Sequence, residues 1–293
     1  MRGYLRMNDG WLWIDAQANL DEARRLIYDA QIVSVDTEYD SFRYFRDVLC
    51  LIQITVRGRT CLFDPLGHAD FSFLGSVFAD RAVLKVMHAG DNDVRLLKRN
   101  YSFGFANIFD THQAASILGC RNLALSTLTN QFLGVELKKD KKMQRSRWDT
   151  RPLTEEQIRY AVEDTAHLES LYSVLDAELQ ARDLRKKARA AFERIAAVTW
   201  SEKVFNPQAC KGINGYLSLS AAQQRAMINL CRWRFEKAKK TNIARFRILT
   251  DQNLVELARS GASSLEMLLE AGILSPERIS RYGREIVEAV NER

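Results

Sequence analysis

Long apolar runs are missing from this sequence. No stretch of 18 or more apolar residues occurs, so it contains no candidate for a membrane-spanning helix. Arg2 and Arg6 stand near the N-terminus, but no apolar segment follows them, and a secretory signal is therefore not expected. Membrane proteins and secreted proteins are the classes that these absences disfavour.

Cysteine pairs and histidine clusters are missing as well. The five cysteines are an odd number without CxxC spacing, which disfavours both a disulfide framework and a zinc site. They predict reduced thiols and a cytoplasmic location. The four histidines, at positions 68, 88, 112 and 167, are too scattered for a histidine metal cluster.

Size and charge suggest two parts with different partners. The 293 residues suffice for one large domain and one small domain. Residues 1–180 contain 22 Lys and Arg against 25 Asp and Glu, a net charge of −3, whereas residues 181–293 contain 21 against 12, a net charge of +9. A basic second half favours contact with a polyanion, most commonly nucleic acid, although many basic domains are merely well solvated.

Two carboxylates follow a buried run near the N-terminus. Residues 32–35 are largely apolar, and Asp36 and Glu38 come directly after them. Side chains two apart on a strand point the same way, so these acids repel each other unless a divalent cation neutralises them. The alternative is a solvated strand end whose acids face water.

Two further acids stand where strands or helices would bring them to a cleft. Asp93 lies in the first turn of a helix that follows the apolar strand 83–87, although helix capping is the more common reason for a single acid there. Tyr160 and Asp164 are four apart on a long helix predicted over 155–180 and share one face. Their alternative is a bond to each other at the surface.

The order of the elements predicts a mixed sheet. Strands at 48–56 and 60–64 flank the turn 57–59 and should pair antiparallel, and short strands are expected at 83–87 and 105–109. The opening helix is predicted from Asn19 to about Asp29, after a capping signal. We therefore expect an α/β fold with helices around a mixed sheet, not a doubly wound parallel sheet.

Two segments have a composition suited to nucleic acid. Residues 39–47 interleave aromatic rings with Arg43 and Arg46, a pattern that stacks bases and holds phosphates, although a hairpin tip that packs its own aromatics is equally plausible. Residues 138–147 contain six Lys and Arg. Such a run is usually a solvated loop, but beside an acidic cleft it would attract a phosphate backbone.

Six sequence blocks follow one another over roughly residues 30–180: VDTE, LCLIQI, DPLG, HAGDND, FDT and RPLTEEQIRYAVEDT. In type and order they resemble the ribonuclease D family, which belongs to the tyrosine subclass of the DEDD exonucleases. The resemblance implies a ribonuclease H-like mixed sheet flanked by helices. It also implies a metal-dependent 3′-5′ exoribonuclease that uses two Mg²⁺ or Mn²⁺ ions.

The resemblance also assigns residues. Asp36, Glu38, Asp93 and Asp164 would hold the ions, with Asp36 bridging them, and Tyr160 would orient the attacking water. The candidate substrate contacts are Thr37, Tyr44, Gln53, His88, Asn92 and Arg151. Asn92 departs from the family, which usually has an acid there, and Tyr39 replaces a common Phe.

The C-terminal part resembles a single HRDC domain, a small all-α helical bundle. The segments ILTDQNLVELARSG and GILSPERISRYGREIVEAV carry the resemblance. We expect an exonuclease domain with a trailing basic helix over 1–204 and the HRDC-like domain over 215–293. The HRDC-like domain would bind nucleic acid, or it would only steady the nuclease.

Taken together, these features predict an enzyme that trims RNA 3′ ends, with tRNA precursors or other structured RNA as substrates. Two alternatives stay open. A DNA 3′-5′ exonuclease would need the same residues, because no 2′-hydroxyl contact is legible in a sequence. A non-catalytic nucleic-acid-binding protein is disfavoured, because it has no use for acids that repel phosphate. The oligomeric state is unknown.

Overall fold

The structure is a computed structural model that describes residues 10–15, 17–137 and 142–292. The chain divides into two compact units. The first contains the described residues up to Asp40 together with Val48–Ser201, and the second contains Ser41–Asp47 with the described residues from Glu202 onwards. The predicted domain limits, 1–204 and 215–293, stay a prediction.

The first unit is built on a mixed sheet. In the described residues it has six strands: β1 (Trp11–Ile14), β2 (Ile32–Asp40), β3 (Val48–Val56), β4 (Arg59–Phe63), β5 (Leu84–Met87) and β6 (Ile108–Asp110). Their order is β1-β4-β3-β2-β5-β6, with β3 antiparallel to β2 and β4 and the other neighbours parallel. The predicted mixed sheet is confirmed, whereas β1 was not predicted.

The structure confirms the predicted turn between β3 and β4. Arg57 and Gly58 have φ angles of 49° and 75°, so both are left-handed. Two consecutive left-handed residues match the twist of a hairpin. β4 therefore folds back antiparallel on β3, as predicted.

Eight helices surround this sheet in the described residues: α1 (Gln17–Tyr28), α2 (Phe73–Ala79), α3 (Asp91–Tyr101), α4 (Thr111–Ile117), α5 (Leu125–Leu133), α6 (Glu155–Ala166), α7 (Leu168–Ala181) and α8 (Arg185–Ala197). α1 begins two residues before the predicted Asn19, whose side-chain amide instead donates to the Trp13 carbonyl at 2.8 Å. The predicted strand at 105–109 is shorter, because only β6 pairs with β5.

The single long helix predicted over 155–180 is wrong, because the structure has two helices. His167 separates α6 from α7 with φ −108° and ψ 1°, outside the helical range. The two helices bury their apolar stripes in different clusters. Ile158 and Ala161 of α6 pack with residues of β3 and β4, and the leucines of α7 pack with α4 and α5. Because the helix is interrupted at His167, the apolar side chains of α6 and of α7 can pack in separate clusters.

The second unit is helical. Its helices in the described residues are α9 (Pro207–Lys211), α10 (Ala221–Thr241), α11 (Arg245–Ile248), α12 (Asp251–Ser260), α13 (Leu265–Ala271) and α14 (Pro276–Asn291). α10 begins with a capping box between Ser220 and Gln223. The predicted all-α bundle is therefore confirmed.

One cation of α10 lies inside this bundle, contrary to the sequence pattern. Arginine side chains on helices usually face water, but only 5% of Arg234 is exposed. Its guanidinium donates to Asp251 Oδ1 at 2.7 Å and to the Leu249 carbonyl at 2.8 Å. Because both partners follow α10 in the chain, the periodicity of α10 alone did not reveal them.

Two global features agree with the composition. All five cysteines are free thiols in the structure. Among the described helices, none combines the length and the apolar character needed to cross a bilayer.

Candidate active site

Three carboxylates from distant parts of the chain meet in the first unit. Asp36 and Glu38 come from β2 and Asp164 comes from α6, and one oxygen of each lies within 4.8 Å of the others. These are three of the four acids that the sequence predicted as metal ligands. The surface-pair alternative for Tyr160 and Asp164 is therefore not what the structure shows.

β2 positions the first two acids. It lies between β3 and β5 in the sheet, and its register places Asp36 opposite Gln53 and Glu38 opposite Leu51. The pairing shifts between Glu38 and Tyr39, which is the irregularity of a β-bulge. Bulges re-aim side chains near functional sites, and this one follows directly after the second acid.

α6 brings the third acid to β2. The helix begins with a capping box between Thr154 and Gln157, as the sequence predicted. Near its other end, Thr165 joins its hydroxyl to the Thr55 hydroxyl of β3 at 2.6 Å. Since Asp164 directly precedes Thr165, this buried bond holds the acid at a set height above the sheet. The sequence analysis missed Thr55 and Thr165, because only the fold brings the two hydroxyls together.

The electrostatics of the cluster are unfavourable for free carboxylates. Burial raises the pKa of Glu38 well above its usual value, and the negative charges of Asp36, Asp164 and Asp93 raise it further. Only 9% of Glu38 is exposed, so water screens this repulsion poorly. A bound cation or a proton is needed to relieve it.

Asp93 lies outside this group of three but acts on it. It occupies the first turn of α3, is 6% exposed, and accepts a hydrogen bond from the Thr37 hydroxyl. Burial raises the pKa of Asp93 to about 7, against the lowering effect of the Thr37 bond. Its charge reaches Glu38, whose pKa it raises. Its role as a metal ligand stays a prediction.

A buried acid of β6 supports the turn that carries Asp93. Both oxygens of Asp110 are occupied, one by the Gln113 backbone N–H at 2.8 Å and the other by the Gly90 N–H at 2.9 Å. Asp110 therefore caps α4 and also anchors the turn before α3. A side chain at Gly90 would meet the Met87 side chain at 2.8 Å, so the tight turn requires glycine.

Tyr160 stands beside the acids. Burial and the charges of Asp164, Glu38 and Asp36 raise the pKa of Tyr160 above its usual value, while a hydrogen bond with Gln144 opposes the shift. The phenol therefore stays protonated at neutral pH. Gln144 is a neighbour of the site that the sequence analysis did not single out.

The segment that carries Gln144 is held against α6. Buried Trp148 donates its indole N–H to the Met143 carbonyl at 3.0 Å, and its ring lies 6.1 Å from that of Tyr160. Gln157 of α6 donates to the Ser146 hydroxyl at 2.9 Å. The basic run begins just before this segment, but residues 138–141 lie outside the described residues.

Four of the six predicted substrate contacts come from β2, β3, the turn after β5 and the start of α3. Thr37 binds Asp93, His88 Nδ1 lies 2.9 Å from the Thr111 hydroxyl, and Asn92 accepts from Arg95 at 2.7 Å. Gln53 is fully buried opposite Asp36, and neither its amide oxygen nor its amide nitrogen has a hydrogen-bond partner in the structure. An unsatisfied buried amide is costly, so Gln53 has capacity for a ligand or a water molecule.

The other two predicted contacts are placed differently. Tyr44 lines a cavity of the second unit. Arg151 makes five hydrogen bonds, all to protein atoms. Two of them go to Asp64, at 2.6 and 2.8 Å, and the others go to backbone carbonyls. The guanidinium also lies over the Trp13 ring, so these contacts indicate a structural role.

The donor set suits a hard divalent cation. Three carboxylates within 4.8 Å offer oxygen ligands, which Mg²⁺ and Mn²⁺ prefer. The raised pKa of Glu38 reflects the repulsion that such a cation would remove. No histidine or cysteine belongs to this group, which disfavours zinc.

Comparison with known families identifies both parts of the chain. Residues 12–180 match the family model described as 3′-5′ exonuclease. Residues 223–290 match the model of the HRDC domain. The first match contains all the acids of the site, and the second falls within the helical unit.

Two curated relatives illustrate the range of similar proteins. Ribonuclease D of Pseudomonas paraeruginosa is 29% identical over 282 residues, which cover 96% of this chain and 74% of the relative. Protein RRP6-like 3 of Arabidopsis thaliana is 35% identical over 177 residues, or 60% of this chain. The chain spans only about a fifth of that relative.

Solved structures have the same fold. Escherichia coli RNase D, titled an exoribonuclease involved in structured RNA processing, is 26% identical with a TM-score of 0.73. The similarity covers 97% of this chain and 74% of that one. The catalytic core of RRP6 from Trypanosoma brucei has a TM-score of 0.88 at 22% identity, over 98% of this chain and 80% of that one.

Replacing Arg151 by methionine should destabilise the protein. Asp64, whose side chain is 7% exposed, would keep the Leu66 N–H at 3.0 Å but lose its positively charged partner, and breaking a buried ion pair in this way costs about 3 kcal/mol. Urea unfolding followed by tryptophan fluorescence would measure the loss. Arg59→Met is the control, because the Arg59 side chain is 50% exposed and its pair with Glu22 should contribute less than ~1 kcal/mol. Weaker RNA binding by Arg151→Met at unchanged stability would instead make Arg151 a substrate contact.

Proposed function

Because the chain belongs to the 3′-5′ exonuclease family and carries both domains of the ribonuclease D family, we propose that it removes nucleotides from the 3′ end of RNA. The observation that carries this proposal is the meeting of Asp36, Glu38 and Asp164 within 4.8 Å. Their convergence next to Tyr160 provides what phosphodiester hydrolysis requires, namely cation ligands and a group that positions water.

The similarity to ribonuclease D favours RNA over DNA as the substrate. Ribonuclease D aligns with nearly the whole chain, including the helical unit, and the similar Escherichia coli structure is titled an exoribonuclease. A DNA 3′-5′ exonuclease is the second candidate, because the acid cluster itself does not distinguish the sugars. We propose structured RNA, including tRNA precursors, as the substrate class and the cytoplasm as the location.

Two divalent ions, Mg²⁺ or Mn²⁺, are the proposed cofactors. Asp36, Glu38 and Asp164 would hold one ion, and Asp93 would contribute to the second, directly or through water. Four carboxylates bring a charge of about −4 when ionised, which two divalent cations neutralise and one does not. When bound, the ions would lower the pKa of the attacking water and neutralise charge on the scissile phosphate.

The protein side chains contribute position and protonation state. The Tyr160 hydroxyl keeps its proton because its pKa lies above the usual value of ~10. It is therefore a poor base and acts by orienting the water that attacks the phosphate. Gln53 stands opposite Asp36, but its amide is fully buried, so its contact with the substrate stays a prediction.

Asp36→Asn and Asp164→Asn should each abolish nucleotide release. Losing even an outer partner of a metal ligand costs about 10- to 100-fold, and loss of a ligand itself should exceed that range. A 5′-labelled RNA incubated with Mg²⁺ or Mn²⁺ would show the stepwise ladder with wild type only. Asp70→Asn is the matched control, because Asp70 is an exposed acid of the same unit.

The same assay separates the alternatives. A 3′-blocked RNA should resist shortening, and a DNA of matched sequence should be degraded more slowly. Faster loss of DNA would favour the second candidate. Tight RNA binding without any shortening would indicate a non-catalytic binding protein, and a normal ladder from either Asn variant would exclude the assigned site.

Metal titration should count the ions. Metal-free wild type should bind two Mn²⁺ per chain in calorimetry, whereas Asp93→Asn should bind one, because its loss removes the proposed ligand of the second ion. Asp70→Asn should again bind two. A single ion in wild type would contradict the two-ion proposal, and two ions in Asp93→Asn would remove Asp93 from the ligand set.

Tyr160→Phe should slow the chemical step more than binding. Loss of the hydroxyl removes the group that orients the water, so kcat should fall about 10- to 100-fold while KM changes little. Single-turnover rates on a short RNA, measured across pH 6–9, would test this. A rate that no longer rises with pH in the variant would instead make Tyr160 a base.

A further inference from the structure

The connection between β2 and β3 belongs to the helical unit. Residues 41–47 follow the acid-bearing strand, yet they cluster with the residues from Glu202 onwards. The Phe45 N–H donates to the Asn242 carbonyl at 3.4 Å, and the Ala244 N–H donates to the Arg43 carbonyl at 3.0 Å. The segment is thus tied to the chain between α10 and α11.

Its two phenylalanines have opposite environments. Phe45 is 3% exposed and packs edge-on against Phe235 at 5.1 Å, as a core residue does. Phe42 is 66% exposed and lies 4.9 Å from the ring of Phe246, which is 43% exposed. The two outer rings form an apolar patch that water contacts. Adjacent exposed aromatic rings are characteristic of binding surfaces.

These rings border a cavity of about 590 Å³ in the helical unit, which we name the Phe42 cavity. Its charged lining residues are Lys203, Arg234, Arg245 and Asp251, which give it a net positive charge. Lys203 donates to the Phe45 carbonyl at 2.6 Å, and Arg245 is exposed next to Phe246. The cavity therefore combines aromatic faces with cations and is large enough for a nucleotide.

A buried donor lies in the wall of this cavity. Arg234 is 5% exposed, and its two terminal nitrogens are bonded to Leu249 and Asp251. Its Nε is buried and has no hydrogen-bond partner in the structure. A buried unpaired N–H costs about 1–3 kcal/mol, which the bonds of the two terminal nitrogens to Leu249 and Asp251 offset.

We propose that the Phe42 cavity is a second RNA subsite, outside the acid cluster, in which a base of single-stranded RNA stacks on Phe42 and Phe246. The flanking phosphates would contact Arg245 and Lys203. This inference rests on the proposed function, because it assigns to the RNA substrate a second contact outside the acid cluster. Stacking rings interleaved with cations bind single strands of any sequence. A protein partner of ordinary composition would not need this excess of positive charge.

Phe42→Ala and Phe246→Ala should each weaken the binding of a fluorescent single-stranded 12-mer RNA about tenfold, because stacking on one ring contributes on that order. Anisotropy in EDTA measures affinity without cleavage. Phe42→Trp should restore it, because tryptophan also stacks. Leu217→Ala is the matched control, since Leu217 is 86% exposed in the same unit but does not line the cavity.

Arg245→Gln provides a second test that does not depend on the aromatic variants folding. The slope of log affinity against log salt should become less steep by about 0.7, the value for one phosphate contact on a single strand. A slope and an affinity equal to those of wild type would overturn the phosphate contact. Equal affinity of both alanine variants and wild type would overturn the subsite.

Substrate length separates this inference from the proposed function. In Mg²⁺, the alanine variants should lose about tenfold in kcat/KM on the 12-mer but release nucleotides from a dinucleotide as fast as wild type. If wild type releases nothing from either RNA, the proposed function fails while the anisotropy result still decides the subsite. Variants that change sedimentation of the protein but not RNA affinity would show that the patch binds a second copy, and would overturn the proposal.

Discussion

Repulsion among three carboxylates is the constraint on which the site depends. Asp36, Glu38 and Asp164 lie within 4.8 Å of one another, and the consequence is visible at Glu38, whose pKa is raised by burial and by its neighbours. Flexible acids would separate to lower this energy. They stay together because β2 is an interior strand and because α6 is tied to β3 by the hydroxyls of Thr165 and Thr55. The fold thus holds the three carboxylates in an arrangement whose repulsion a bound cation or a proton relieves. Because the scaffold keeps the acids together, the site favours cations.

The four acids are held in position by different parts of the fold. β2 sends Asp36 and Glu38 to one side and Thr37 to the other, since strand side chains alternate. Thr37 then holds Asp93, which stands on a turn anchored by Asp110. Asp93 is thereby positioned independently of α6, although its charge reaches Glu38. Two separate parts of the fold therefore hold the buried acids of the site.

Much of this architecture was predictable, for identifiable reasons. Apolar runs, the turn at Arg57 and Gly58, and the capping box at Thr154 are local signals, and each marked its element correctly. β1 was missed because four residues pair in parallel with a strand more than 40 positions away, and no local pattern encodes such a partner. The break at His167 and the burial of Arg234 were missed for the same reason. Both follow from partners that only the folded chain supplies, namely separate apolar clusters for α6 and α7 and the carboxylate of Asp251 for Arg234. In the site, the residue types singled out the acids that the fold brings together, whereas Gln144, Thr55 and Thr165 are ordinary polar residues that acquire a role through their neighbours.

Segment 41–47 shows why composition alone left its role open. Its aromatic and arginine residues suited both a self-packing hairpin tip and a surface for bases, and the structure divides them between two environments. Phe45 packs in the core of the helical unit, whereas Phe42 is exposed beside Phe246. A hairpin tip whose only role was to pack its own aromatic side chains would bury both rings. Each ring left exposed loses about 1.5–3 kcal/mol of hydrophobic stabilisation. The segment also joins directly to the strand that bears Asp36 and Glu38. The cavity-lining segment and the acid-bearing strand are thus consecutive in the chain, a connection that composition alone did not reveal.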